Sequence, residues 1–145
     1  MRNKLAHTVW ECKYHIVWIP KYRRKVVYGK LRQDIGLILR RLCEYKRIEI
    51  VEASACHDHI HMCLSIPPKY SISNIVGYLK GKSAIEMFER HSKLRQNFRG
   101  HHFWARGYYV STVGLDEAKV RNYIKNQEQG DRLSDSGTSS GDPFQ

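Results

Sequence analysis

Two histidines one residue apart, and a tyrosine one helical turn ahead of a glutamine, are the side chains here best suited to chemistry. His59 and His61 lie in the run Cys56-His57-Asp58-His59-Ile60-His61-Met62-Cys63. On a strand, successive side chains face opposite ways. His59 and His61 then share one face, about 7 Å apart, and Ile60, Met62, Leu64 and Ile66 share the other. Two imidazoles at that spacing can lean toward one cation, whereas on a helix they would point apart. A pair of exposed strand histidines is the plainer alternative. A zinc site from Cys56, Cys63 and a histidine is a weaker rival, because an unbroken strand puts Cys56 on the Ile60 face and Cys63 opposite. Tyr123 and Gln127 fall in LDEAKVRNYIKNQ at i,i+4, so they share a helix face. A phenol can attack phosphorus, and a carboxamide oxygen can coordinate a hard cation such as Mg²⁺ or Mn²⁺. Taken alone, Tyr123 reads more readily as a packing residue.

The elements that must position these groups follow from pattern. A β-prone run over residues 9–19 ends at Pro20, and an apolar stripe of Leu31, Ile35, Ile38, Leu39 and Leu42 predicts a helix to Tyr45. Arg47 to Ala55 and His57 to Ile66 read as an antiparallel hairpin stopped by Pro67-Pro68. Ser71 or Ser73 caps a helix to about Arg90, and residues 91–102 read as a basic loop. Trp104 to Val113 is a fourth strand, Gly114 breaks it, and Asp116 to Gln127 is a last helix. The order predicts an α+β fold: a ferredoxin-like antiparallel sheet with helices on one face, like an RNA-recognition motif, plus a C-terminal helix carrying Tyr123. Residues 1–127 form one domain, and 128–145 read as a disordered polar tail of Ser, Gly and Asp.

Composition narrows the partner. The 145 residues carry 25 Lys plus Arg against 14 Asp plus Glu, a formal charge of +11. Lys21, Arg23, Arg24 and Lys25 crowd beside Tyr22, and Lys80, Lys82, Arg90, Lys93, Arg95 and Arg99 follow. Basic side chains neutralise phosphates while flat rings stack on unpaired bases, so a nucleic acid is the expected partner. Lys21, Arg23, Arg24, Lys80 and Lys82 are the candidate phosphate contacts. The start lacks a signal-peptide core and no run is apolar enough to cross a bilayer. With four scattered cysteines and no CxxC pair, a cytoplasmic location is expected, and no membrane partner. Gly77 to Ser83 (GYLKGKS) imitates a phosphate loop, but Val76 stands where its first glycine belongs. No nucleotide cofactor is expected. Close packing or the approach of DNA is the better account of the two glycines.

His59-Ile60-His61 followed by Tyr123-Ile124-Lys125-Asn126-Gln127 resembles the HUH single-tyrosine transposases of the insertion-sequence 200/605 family. Tyr14 to Arg24 (YHIVWIPKYRR), Lys80-Gly81-Lys82-Ser83-Ala84 and Trp104 to Gly114 (WARGYYVSTVG) are similar too. The resemblance runs from about residue 10 to 127. It implies a metal-dependent nuclease and strand transferase acting on single-stranded DNA with subterminal hairpins, through a 5′-phosphotyrosine. His59, His61 and Gln127 would bind Mg²⁺ or Mn²⁺, and Tyr123 would be the nucleophile. A homodimer that shares its active sites between subunits, in a bacterial or archaeal cytoplasm at the nucleoid, is implied as well. His57 stands where the family commonly has proline and could add a third imidazole. Tyr108 and Tyr109 are rival nucleophiles on a predicted strand, and Gly114 is a candidate pivot for the Tyr123 helix. Competing readings are a domesticated hairpin-binding protein, an HUH replication or mobilisation nuclease, and an RNA-binding regulator.

Overall fold

A computed structural model describes residues 3–5, 8–21, 27, 29–96 and 102–137. Strands β1 (Asn3–Leu5) and β2 (Thr8–Trp10) form a small antiparallel hairpin. Strand β3 (Lys13–Trp18), helix α1 (Gly29–Tyr45), strands β4 (Glu49–Cys56) and β5 (His59–Ser65), helix α2 (Ile72–Arg90), strand β6 (Tyr109–Ser111) and helix α3 (Glu117–Gly137) follow, with a short 3₁₀ turn over Ser92–Gln96. The main sheet has the order β4-β5-β3-β6, every neighbour antiparallel, which is the ferredoxin-like arrangement.

Period-two alternation sorts the sheet into two faces. Ile16, Trp18, Ile60, Met62 and Leu64 turn one way and join Ile35, Ile38, Leu39, Ile75, Val76, Leu79 and Met87 from α1 and α2. Val17 and Ile19 turn the other way, into a smaller cluster with Ala105, Val120 and Ile124. Helices α1 and α2 thus cover one face and α3 part of the other. A central strand apolar on both sides is what that double cover requires.

Local chemistry sets the ends. Ser71 Oγ accepts from the Asn74 N–H at 3.1 Å and starts α2. Asp116 Oδ1 accepts from the N–H groups of Ala118 and Lys119 at 2.9 and 3.2 Å and starts α3. The long strand expected over 9–19 is divided between β2 and β3. The strand expected over 104–113 is also interrupted. Trp104 bridges Pro20, Gly107 takes φ +79°, and regular pairing resumes at Tyr109. A residue at that φ leaves the extended conformation, so the ladder cannot run straight through it. Helix α3 carries on to Gly137, ten residues beyond Gln127, where composition predicts a polar tail. Extending a formed helix costs far less than nucleating one, which composition does not register. Residues 138–145 lie outside the described residues.

Gly77 and Gly81 have open space where a Cβ would stand, so packing within the chain does not explain them. Among the described residues no helix is long and apolar enough to cross a membrane.

Candidate active site

Strand β5 carries His59 and His61 on the face away from α1 and α2, as the alternation predicts. They border a groove of about 360 Å³ whose sheet side is Val17, Ser54, Cys56 and the two histidines. Its other wall is α3, through Leu115 just ahead of it and Glu117, Val120, Arg121 and Ile124. His59 Nδ1 lies 2.9 Å from Asp58 Oδ1, which fixes that ring from the hairpin turn. Asp58 is buried and His59 half-buried.

His61 faces a different set of partners. Its Nε2 lies 3.3 Å from His15 Nδ1 and 3.9 Å from Glu52 Oε1, and its ring stacks on His15 with centroids 5.5 Å apart. Burial lowers the His61 pKa, Glu52 opposes the shift, and His15 and His59 reinforce it. At neutral pH His61 is therefore held as the uncharged imidazole, the form that can bind a cation. A neutral imidazole beside carboxylate oxygen is the donor set a divalent first-row cation takes. Sequence reasoning missed His15 and Glu52. The alternation of β3 does place His15 on the open face, but its partner depends on a pairing register that the chain does not spell out.

The two cysteines sit differently from the sequence expectation. The hairpin turn restarts the alternation, so Cys56 pairs with His59 and shares its face instead of the Ile60 face. Cys63 lies four residues along the strand from His59, roughly 13 Å away, too far for one ion to take both thiols. Burial raises both thiols, which keeps them protonated.

Tyr123 is half-buried on the side of α3 that meets Tyr109, with ring centroids 6.1 Å apart and its hydroxyl oxygen shielded from solvent. Gln127 follows one turn later, half-buried. Neither is among the groove-lining residues, so within one chain α3 presents Val120, Arg121 and Ile124 to the histidines instead. Gly114, with φ +112°, begins the connection into α3. Tyr108 packs against the larger core and Tyr109 against the smaller, so both act in packing.

The basic candidates separate. Lys80 Nζ donates to the carbonyls of Ala105 and Gly107, each at 2.7 Å, and so anchors the interrupted strand. Lys21 is buried, and its backbone N–H donates to Phe103 O at 2.9 Å. Lys82 is exposed on α2. Arg23 and Arg24 lie outside the described residues, as do Tyr22 and Lys25. In the GYLKGKS run, Ser83 Oγ accepts from Trp104 Nε1 at 2.9 Å and donates to Lys80 O at 3.2 Å, which is a structural use.

Comparison with known proteins gives a consistent picture. The family model described as "Transposase IS200 like" matches residues 8–127. The chain is 53% identical over 133 residues to the transposase for insertion sequence element IS200 of Salmonella typhimurium, covering 92% of this chain and 88% of that protein. It is 32% identical over 120 residues to the ISDra2 transposase TnpA of Deinococcus radiodurans, covering 82% and 86% of the two chains. A crystal structure assigned as a transposase of Deinococcus radiodurans R1 superposes with a TM-score of 0.80 at 32% identity, over 86% of this chain and 97% of that one. A tyrosine transposase bound to a REP hairpin shares the fold at a TM-score of 0.53 and 12% identity, over 86% and 68% of the two chains.

Proposed function

The chain belongs to the IS200-like transposase family, and from that premise we propose that it cleaves and rejoins single-stranded DNA at insertion-sequence ends through a 5′-phosphotyrosine on Tyr123. The observation that carries this reading is the groove, which sets the imidazoles of His59 and His61 against the helix bearing Tyr123 and Gln127. His59, His61 and Gln127 would hold a divalent cation, Mg²⁺ or Mn²⁺. When bound, the cation offsets charge on the phosphate and aids attack.

The residues divide the work. Tyr123 Oη attacks phosphorus, its bond to phosphorus forms as the P–O3′ bond breaks, and the 3′-OH leaves after taking up a proton. The phenol's own proton goes to solvent or a nearby base, because its ordinary pKa near 10 leaves little phenolate at neutral pH. The phosphodiester energy survives in the tyrosyl ester, so a new 3′-OH can reverse the attack without a nucleotide. Lys82 and, outside the described residues, Arg23 and Arg24 are the phosphate contacts this reading keeps. The open glycine face of α2 beside Lys82 gives DNA backbone room to approach.

The side that Tyr123 takes in the isolated chain supports a homodimer, with α3 pivoting at Gly114 to serve the histidines of a partner. Hairpin DNA is the proposed ligand, in keeping with the REP hairpin bound by the tyrosine transposase of the same fold.

The test uses labelled single-stranded hairpin DNA with Mg²⁺ or Mn²⁺, read on a denaturing gel. The expected result is a covalent protein–DNA adduct that disappears in Tyr123→Phe while hairpin binding persists. An adduct that survives in Tyr123→Phe removes this nucleophile. Binding with no adduct in the unaltered protein favours a domesticated hairpin binder.

A further inference from the structure

The turn that joins β4 to β5 holds a carboxylate against His59 and leaves His61 to other neighbours. Cys56 and His59 are the closing cross-strand pair, so His57 and Asp58 alone make the turn. It is anchored from outside the hairpin, where the Val27 N–H donates to His57 O at 3.2 Å. Asp58 is only 7% exposed, and a carboxylate is costly to bury unless a partner meets its charge. His59 is such a partner, with Nδ1 2.9 Å from Oδ1. His61 has the looser arrangement, with Glu52 Oε1 at 3.9 Å on a side chain 63% exposed.

The contact fixes which nitrogen carries the proton. An ionised carboxylate only accepts hydrogen bonds, so Nδ1 of a neutral His59 donates to it and Nε2 is left bare. Without that acceptor the ring is free to take the other tautomer. His59 lines the groove and Asp58 does not. The bonded nitrogen is thus committed to the turn, and Nε2 is the one left for a cation. A carboxylate behind a ligating imidazole sets its tautomer and ring angle and strengthens its donation. Turn chemistry by itself would be served as well by asparagine or glycine, and neither carries the charge.

We propose that Asp58 is a positioning residue for the cation, holding His59 as the Nδ1–H tautomer so that Nε2 serves as its ligand atom. The inference deepens the function proposed above and rests on its ligand set of His59, His61 and Gln127. It also makes the two histidines unequal. His59 is the carboxylate-backed donor, fixed before any ion arrives, whereas His61 leans on the His15 ring.

The experiment has two readouts on the full chain, stripped with chelator. Long-range ¹H–¹⁵N spectra of the metal-free protein, recorded near pH 9 where free imidazole is neutral, tell a protonated ring nitrogen from a bare one. Mn²⁺ titration, with free ion read by electron paramagnetic resonance, gives the affinity. Asp58→Gly removes the carboxylate and suits a two-residue hairpin turn. It is expected to free the His59 tautomer, leave that of His61 unmoved, and weaken Mn²⁺ binding by about tenfold or more. Asp58→Asn keeps an accepting oxygen without the charge and is expected to fall between Asp58→Gly and the parent. Glu52→Gln removes a charge beside His61 and is expected to cost less affinity than Asp58→Gly. Parent tautomer and parent affinity in Asp58→Gly overturn the proposal, as does an equal loss in Glu52→Gln, which would make the effect one of general charge. If Asp58→Gly does not fold, Asp58→Asn decides: weaker binding at an unmoved thermal midpoint supports the proposal, and parent affinity overturns it. The adduct assay is scored separately. Tautomer and affinity that follow Asp58 in a protein forming no adduct defeat the strand-transfer reading alone. An adduct formed by a protein whose tautomer and affinity ignore Asp58 defeats this inference alone.

Discussion

Behind the sheet, α1 and α2 bury Ile16, Trp18, Ile60, Met62 and Leu64 together with Phe103 and Trp104. In front of it, the described side chains of α3 cover Val17 and Ile19 with Val120, Ile124 and part of Tyr123. The first face holds the fold, and Ser83 and Trp104 there hydrogen-bond each other. The second face carries His59 and His61 in a groove that water and a substrate can enter, with His15 and Glu52 beside His61. Chemistry is confined to the side whose cover is thin enough to move. A helix bound by few apolar contacts opens at a small fraction of the global unfolding free energy.

The comparison breaks most sharply by cutting equal amounts from each face. Ile60→Ala removes a side chain only 1% exposed from the larger core and is expected to cost about 2–5 kcal/mol. Ile124→Ala makes the same truncation under α3 and is expected to cost about 1 kcal/mol or less of global stability, because a helix that lets go can relax around the gap. Urea midpoints at constant slope measure both. Native-state hydrogen exchange should show α3 amides alone speeding up in Ile124→Ala. Equal losses in the two variants would mean that α3 is as integral as the helices behind the sheet.

That asymmetry also explains what the chain discloses. The hairpin and the shared face of His59 and His61 follow from alternation within one segment, and they were legible. What stayed hidden depends on register between distant strands. His15 meets His61 only because β3 pairs with β5 as it does. Cys56 changed faces because a turn, invisible to a continuous alternation, restarts the count at His59. Lys80 looked like a phosphate contact because sequence gives its charge and not the carbonyls of Ala105 and Gly107 that claim it.

The lysines sharpen the contrast at smaller effect. Lys80 and Lys82 lie two residues apart on α2, yet Lys80 is tied to the strand leading into β6 and Lys82 faces solvent. Lys82→Met is expected to weaken hairpin binding and lower the salt slope by about one, with stability within about 0.5 kcal/mol of the parent. Lys80→Met is expected to cost about 1–2 kcal/mol by leaving the two carbonyls to find other donors, with the salt slope almost unchanged. Ser83→Ala strands the buried indole N–H of Trp104 and should cost about 1–3 kcal/mol. Fluorescence anisotropy at several salt concentrations, beside urea unfolding, reads all three. If Lys80→Met flattens the salt slope as Lys82→Met does, Lys80 serves DNA as well as the fold.

The smallest effect concerns a charge on the well-covered side. Asp34 on α1 is 3% exposed at its side chain and lies 2.7 Å from His91 Nε2, just past α2, with Lys30 and Arg90 at 3.2 and 3.6 Å. The hydrogen bond from His91 holds the carboxyl below its ordinary value of 3.8, burial opposes, and Lys30 adds to the lowering. A carboxyl whose pKa is lower folded than unfolded stabilises the fold above the unfolded value. That contribution disappears as pH falls through the folded value. Unfolding midpoints should therefore decline below about pH 4, and Asp34→Asn should decline less steeply over the same range while starting from a lower midpoint at neutral pH. His59 and His61 are distant from this tie, so metal binding at neutral pH should be unmoved in Asp34→Asn. A parallel loss of metal binding would show that the two faces of the sheet are coupled through the helices.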